Sequence, residues 1–135
     1  GGEGTGKSNY VAALVAGSIR PADIQIDTLG INVSENTKHK AVLLYDTEQS
    51  EVQLFKNVTN LIKRAKQTDK PDEFKAFCLT GMSRKERLHA IVQSMDRYYF
   101  HYGGIQLVVI DGIWKSHATL TLLATQDCPL WLQYD

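Results

Sequence analysis

Ala41-Val42-Leu43-Leu44-Tyr45 is an unbroken apolar run, closed by the polar stretch Asp46-Thr47-Glu48-Gln49-Ser50. A strand with one wet face alternates apolar and polar residues. A run without alternation predicts a strand covered on both faces. Ile105-Gln106-Leu107-Val108-Val109-Ile110 has nearly the same character and ends at Asp111, and Phe74 to Thr80 is a third candidate. Between these runs the period changes. Val52, Phe55, Val58, Leu61, Ile62 and Ala65 recur at steps of three and four, with Lys56, Lys63, Arg64 and Lys66 turned outward. Ser83 with Glu86 three residues on has the capping-box spacing. The helix behind it carries Leu88, Ile91, Val92, Met95 and Tyr99 as one stripe, and Gly103-Gly104 stops it. Doubly buried strands separated by amphipathic helices predict an α/β fold, a mostly parallel sheet with flanking helices.

Toward the N-terminus, residues 20–40 are rich in Asn, Thr, Ser, Asp and Lys. They read as a loop holding one short strand around Ile24 to Ile26. Before them, Val11, Ala12, Leu14 and Val15 predict a short helix from Thr5 to about Ala16, ending near Gly17 with Pro21 just beyond. In front of that helix stands Gly1-Gly2-Glu3-Gly4-Thr5-Gly6-Lys7-Ser8, which satisfies G-x-x-x-x-G-K-[ST]. Glycines let successive backbone N–H groups turn inward on phosphate oxygens. The following helix adds the positive end of its dipole to the same anion site. Lys7 is placed to reach the outer phosphates, and Ser8 offers a hydroxyl to Mg2+. The nucleotide-binding set expected from this motif is Gly2, Glu3, Gly4, Thr5, Gly6, Lys7, Ser8 and Asn9. A glycine-rich turn is a poor place for a domain to open, which predicts a longer parent chain with a strand upstream.

The remaining arithmetic narrows the class. The chain has 135 residues, 43% hydrophobic and 22% charged, which suits one globular domain and argues against a fibrous, disordered or membrane protein. Fifteen Lys+Arg balance fifteen Asp+Glu, so contact with nucleic acid would need a local patch. Cys78 and Cys128 share no metal or redox spacing, and a reducing, cytoplasmic compartment is expected. His39, His89, His101 and His117 share no ligand spacing either. Tyr98, Tyr99 and Tyr102 could stack on bases, although that spacing more often makes core and rim. Lys63, Arg64, Lys66 and Lys70 form a modest basic face.

A phosphate loop needs an acidic residue at the end of a neighbouring strand. The run ending at Asp111 supplies one, in the Walker B pattern, so the Mg2+ set is Ser8 with Asp111, the latter through water. Gly112 follows Asp111, so the water-activating Glu that ATPases of the AAA type keep there is absent. A general base must lie within hydrogen-bond reach of the attacking water, and the end of an adjacent strand is the other place for one.

The phosphate loop, the strand ending Tyr45-Asp46-Thr47-Glu48-Gln49-Ser50 and the Asp111 strand together resemble a RecA-like P-loop ATPase. Within that superfamily the hexameric helicases and RepA-type replication ATPases of mobile elements are the nearest in pattern. The resemblance covers residues 1–113. It implies ATP and Mg2+ as cofactors, Glu48 as catalytic base beside Lys7, and single-stranded DNA and a homo-hexamer as partners of the full-length parent. No membrane partner is expected, since the longest apolar run, Leu107 to Ile110, is far short of the roughly 20 residues that span a bilayer. No residue takes the role of the neighbouring subunit's arginine. Residues 114–135 are atypical, with both tryptophans and neither Glu nor Arg. Ala118 to Thr125 could be one further strand, and Gln126 at its end would stand where the superfamily has a γ-phosphate sensor. Two other readings stay open: a P-loop small-molecule kinase, and a nucleotide-binding remnant without catalysis. The region after Asp111 has no arginine for a kinase lid.

Overall fold

The computed structural model describes residues 3–114, 117–125 and 129–134, with side chains over residues 8–112. The elements run α1 (Glu3–Ile19), β1 (Ala41–Asp46), α2 (Glu51–Arg64), β2 (Phe74–Cys78), α3 (Arg84–Tyr102), β3 (Ile105–Trp114), β4 (His117–Thr125) and β5 (Pro129–Tyr134). They form an α/β fold around one sheet of order β2-β1-β3-β4-β5. The first three strands are parallel, as expected. The other two pairings, β3 with β4 and β4 with β5, are antiparallel, so the sheet is mixed rather than mostly parallel. The expected strand Ala118 to Thr125 is present as β4, and β5 adds one that the sequence reading lacks.

All six residues of β1 are buried, the five of its apolar run as that run requires and Asp46 with them. Val42 and Leu44, with Leu107 and Val109 of β3, face α1 and α2. Leu43, Tyr45, Val108 and Ile110 face α3. Gln106, the one polar residue in the apolar run of β3, is accommodated by a bulge. The register steps from Ala41–Ile105 to Val42–Leu107 and leaves Gln106 as the extra residue.

Four expectations need correction. Residues 20–40 run as turns and irregular chain where a strand around Ile24 to Ile26 was expected. Ile26, Ile31 and Val33 instead anchor that segment singly on the α1–α2 core. The first helix passes Gly17 and stops at Ile19. Gly17 is a contact point rather than a cap, since a Cβ there would lie 2.8 Å from Val33 Cβ. The Arg20 guanidinium donates to the carbonyls of Gly17 (2.7 Å) and Val33 (3.0 Å) and holds that crossing.

The other two concern helix faces. In α2 the buried side chains are Leu54 and Leu61, with Ala65 just past its end, while Val52 (66% exposed) and Phe55 (73%) face out. In α3, Ile91 is buried and Ala90, Met95, Tyr98 and Tyr102 pack beside it. Leu88, Val92 and Tyr99 are exposed. Each expected stripe is therefore right in part: Val58, Leu61 and Ala65 on the α2 stripe and Ile91 and Met95 on the α3 stripe reach the core, while the core-facing sector also takes in Leu54, Ala90, Tyr98 and Tyr102. The expected capping box is formed. Ser83 Oγ accepts the Glu86 N–H (3.1 Å) and Glu86 Oε1 accepts the Ser83 N–H (2.9 Å). Gly103 closes α3 in the left-handed conformation at φ 72°.

Candidate functional site

The strand order reverses at β1: the chain first adds β2 on one side, then returns to add β3 on the other. In open α/β sheets such a reversal leaves a crevice at the carboxyl ends of the two central strands. β1 and β3 end their parallel pairing there with Asp46 opposite Asp111. Asp46 is 4% exposed. Its Oδ1 accepts the N–H groups of Glu48 (2.8 Å) and Gln49 (3.0 Å), which bends the chain off the strand and into α2. Ser50 caps that helix by accepting the Gln53 N–H at 3.2 Å. On the other strand, the Asp111 carbonyl accepts the Thr47 N–H (2.9 Å) and hydroxyl (3.3 Å). This closure explains Gly112. A Cβ there would stand 1.5 Å from Thr47 Oγ1, so no side chain fits where ATPases of the AAA type keep their Glu.

A cavity of about 430 Å³ opens at this crevice between α1 and α2. Ser8 and Asn9 reach it from α1, Asp46 and Asp111 from the two strand ends, and Gln49 from the turn. Val11, Ala12, Leu44, Leu54 and Leu61 form its apolar wall. Gln53, Asn57, Asn60 and Arg64 continue it along α2. Those four recur at the i, i+4, i+7, i+11 spacing, one position ahead of the stripe that α2 buries. The helix therefore turns leucines to the sheet and carboxamides to the cavity.

Of the residues expected from sequence, Ser8, Asn9 and Asp111 share this cavity. Asp46 also lies there. Its signal was its place at the end of the first apolar run, the same position that Asp111 holds at the end of another. Glu48 sits on the exposed side of the turn, and the neighbouring cavity wall is made by Asp46 and Gln49. The backbones of Glu3, Gly4, Thr5, Gly6 and Lys7 belong to α1, so the motif is helical from Glu3 where a loop running to Thr5 was expected. Once a helix is nucleated over Tyr10–Ala16, each further residue costs little. The first helical turn still carries unbonded N–H groups and the positive dipole end. Gly1, Gly2 and Gln126, and the side chains of Glu3, Thr5 and Lys7, lie outside the described residues.

Among the described residues no group of three or more His, Cys, Asp and Glu could hold a metal ion. The oxygen-bearing residues that line the same cavity include Ser8, with its hydroxyl, and Asp46 and Asp111, with their carboxylates. That set suits Mg2+, which keeps much of its water and takes few protein ligands.

Tyr98, Tyr102, Arg64 and Lys70 take structural roles, while Tyr99 is exposed. Tyr98 and Tyr102 pack with Phe77 on the α3 side, and Phe77 stacks on Tyr45 at 4.9 Å between centroids. Arg64 donates to the Asp27 carbonyl at 3.2 and 3.1 Å, and Lys70 to the Phe74 carbonyl at 2.5 Å. His39 meets Glu73 at 3.1 Å. Cys78 is a free thiol. Among the described residues no helix is long and apolar enough to cross a membrane. Compared with family models, curated proteins and solved structures, the chain matches none.

Proposed function

We propose that this chain carries the nucleotide site of a Mg2+-ATP-dependent P-loop ATPase of RecA-like type. The observation that supports it is the meeting of Ser8, Asp46 and Asp111 in one cavity at the sheet's switch point. The phosphate-loop sequence in front of Ser8 independently calls for that arrangement. In this reading Gly2 to Asn9 bind the phosphates, with Lys7 directed at the outer two. Ser8 and Asp111 hold Mg2+, Asp111 through water, and Asp46 adds its charge beside them. When bound, Mg2+ neutralises charge on the phosphate oxygens. Glu48, carried on the turn that Asp46 fixes, accepts a proton from the attacking water. Catalysis rests on positioning and charge neutralisation rather than on covalent chemistry.

The resemblance extends the proposal to a cytoplasmic parent protein acting on single-stranded DNA in replication or mobilisation of a mobile element, as a homo-hexamer with Gln126 as sensor. Mg2+-dependent release of phosphate from ATP tests the core of it. Glu48→Gln is expected to keep nucleotide binding and to lower turnover on the order of a hundredfold. Turnover unchanged in that variant would remove Glu48 from the role.

One observation favours a second reading, transfer to a small polar acceptor. The cavity continues past the carboxylates along Asn57 and Asn60 to Arg64, giving room for more than a water molecule. ADP formed without free phosphate when a polar acceptor is supplied would select it.

A further inference from the structure

The carboxamides at the cavity form a chain with a direction. Gln53 Nε2 donates to Asn57 Oδ1 at 3.0 Å, and Asn57 Nδ2 donates to Gln49 Oε1 at 2.6 Å. With its oxygen engaged, the Gln49 carboxamide has its NH2 edge left for the cavity, and that cavity is also walled by Asp46 and Asp111. The surroundings favour this polarity, because two carboxylates accept donors and repel a carbonyl oxygen. The backbone of Gln49 is held as firmly as its side chain. Its N–H is bound to Asp46 Oδ1 at 3.0 Å, and its carbonyl accepts Thr80 Oγ1 at 2.6 Å and Cys78 Sγ at 3.4 Å.

We propose that Gln49 orients the attacking water against the terminal phosphate, donating from Nε2, and that Asn57 is the positioning residue that fixes which edge of Gln49 faces the cavity. The proposal rests on the ATPase reading given above. A water between a carboxamide donor and a carboxylate acceptor has its hydrogens directed to the carboxylate and a lone pair left for phosphorus. That is the task a glutamine performs in other phosphoryl-transfer sites. The step is hydrolysis: the water oxygen bonds to the γ-phosphorus, the bond to the β–γ bridging oxygen breaks, and the water's proton passes to a carboxylate. Gln49 itself gains and loses nothing. Gln49 supplies the aim alone, and proton acceptance is the separate role that the ATPase reading gives to Glu48.

Asn57→Asp tests the relay directly. Aspartate accepts hydrogen bonds and cannot donate them, so Gln49 must turn its NH2 toward residue 57 and its oxygen toward the cavity. The test compares the whole chain with Asn57→Asp, Gln49→Leu and Lys7→Ala. It reads the affinity for a fluorescent Mg2+-ATP analogue, phosphate release, and the Gln49 side-chain NH2 resonances with Mg2+ and a non-hydrolysable ATP analogue. Both Asn57→Asp and Gln49→Leu are expected to lower kcat at least about tenfold with affinity changed less than about twofold. The Gln49 NH2 signal should move on nucleotide addition in the parent chain and not in Asn57→Asp. Wild-type turnover in both variants, or affinity falling in step with kcat, would overturn the relay and leave the ATPase reading standing. No nucleotide binding by the parent chain, or binding undiminished by Lys7→Ala, would overturn both.

Discussion

At the scale of single residues, Gly112 and Tyr45 show how tightly the strand ends are built. Thr47 closes on Gly112 so nearly that a Cβ would meet its hydroxyl at 1.5 Å. Gly112→Ala is therefore expected to cost about 1–3 kcal/mol, as overpacking does, and adding Thr47→Gly should recover much of it. Urea unfolding of the three variants checks this, and an undiminished midpoint for Gly112→Ala would contradict the packing. Tyr45, fully buried, has its phenol pushed from 10.0 up to about 12 by burial, with the Ser94 hydrogen bond pulling the other way. Between those values the unfolded chain has lost the proton and the folded chain has kept it. The unfolded state binds fewer protons, so stability falls as pH rises from about 10. Tyr45→Phe should flatten that part of the stability–pH curve. In the sequence, the glycine after Asp111 was legible as a departure from one ATPase pattern. Its cause was not, because Thr47 is distant in the chain and reaches it only through the β1–β3 register.

At the scale of elements, the start of α3 was readable because a capping box is local: four consecutive residues contain both hydrogen bonds. Ser83→Ala should cost about 1 kcal/mol. The Glu86 carboxyl is held below its ordinary value by the Ser83 backbone N–H and then by the Ser83 hydroxyl. A carboxyl lowered in the folded state contributes stability above its unfolded value and loses it as pH falls through the folded one. Glu86→Gln should therefore narrow the difference in stability between neutral and acid solution, measured by thermal melting across that range. Helix faces were less legible than helix ends. Val52 and Phe55 continue the three-and-four pattern of α2 and yet are exposed, while Leu54 is buried. Several registers of apolar residues fit one helix, and only the sheet beneath it decides among them. The strand expected around Ile24 to Ile26 failed for a related reason. Two isoleucines two residues apart satisfy the strand period but equally serve as single anchors on a core.

At the scale of the whole molecule, the parallel half of the sheet followed from doubly apolar strands alternating with amphipathic helices, and it was legible throughout. Of the antiparallel half, β4 was legible as a strand, but its direction and the existence of β5 were not, since both follow from pairing with chain neighbours rather than from a motif. The site was half legible. Ser8 and Asp111 belong to motifs, so their meeting could be expected from the chain alone. Asp46 had a signal at the end of its apolar run, whereas the Gln49–Asn57–Gln53 relay belongs to no motif and became visible only when β1, α2 and β3 were placed around one cavity. The claim that joins these scales is that this cavity is a Mg2+-nucleotide site. Equilibrium binding of a fluorescent ATP analogue, with and without Mg2+, to the parent chain beside Asp111→Asn tests it most directly. The account predicts micromolar, Mg2+-dependent binding that weakens at least about tenfold, or 1.4 kcal/mol, in the variant. Binding that ignores both Mg2+ and the Asp111 substitution, or no binding at all, would contradict it.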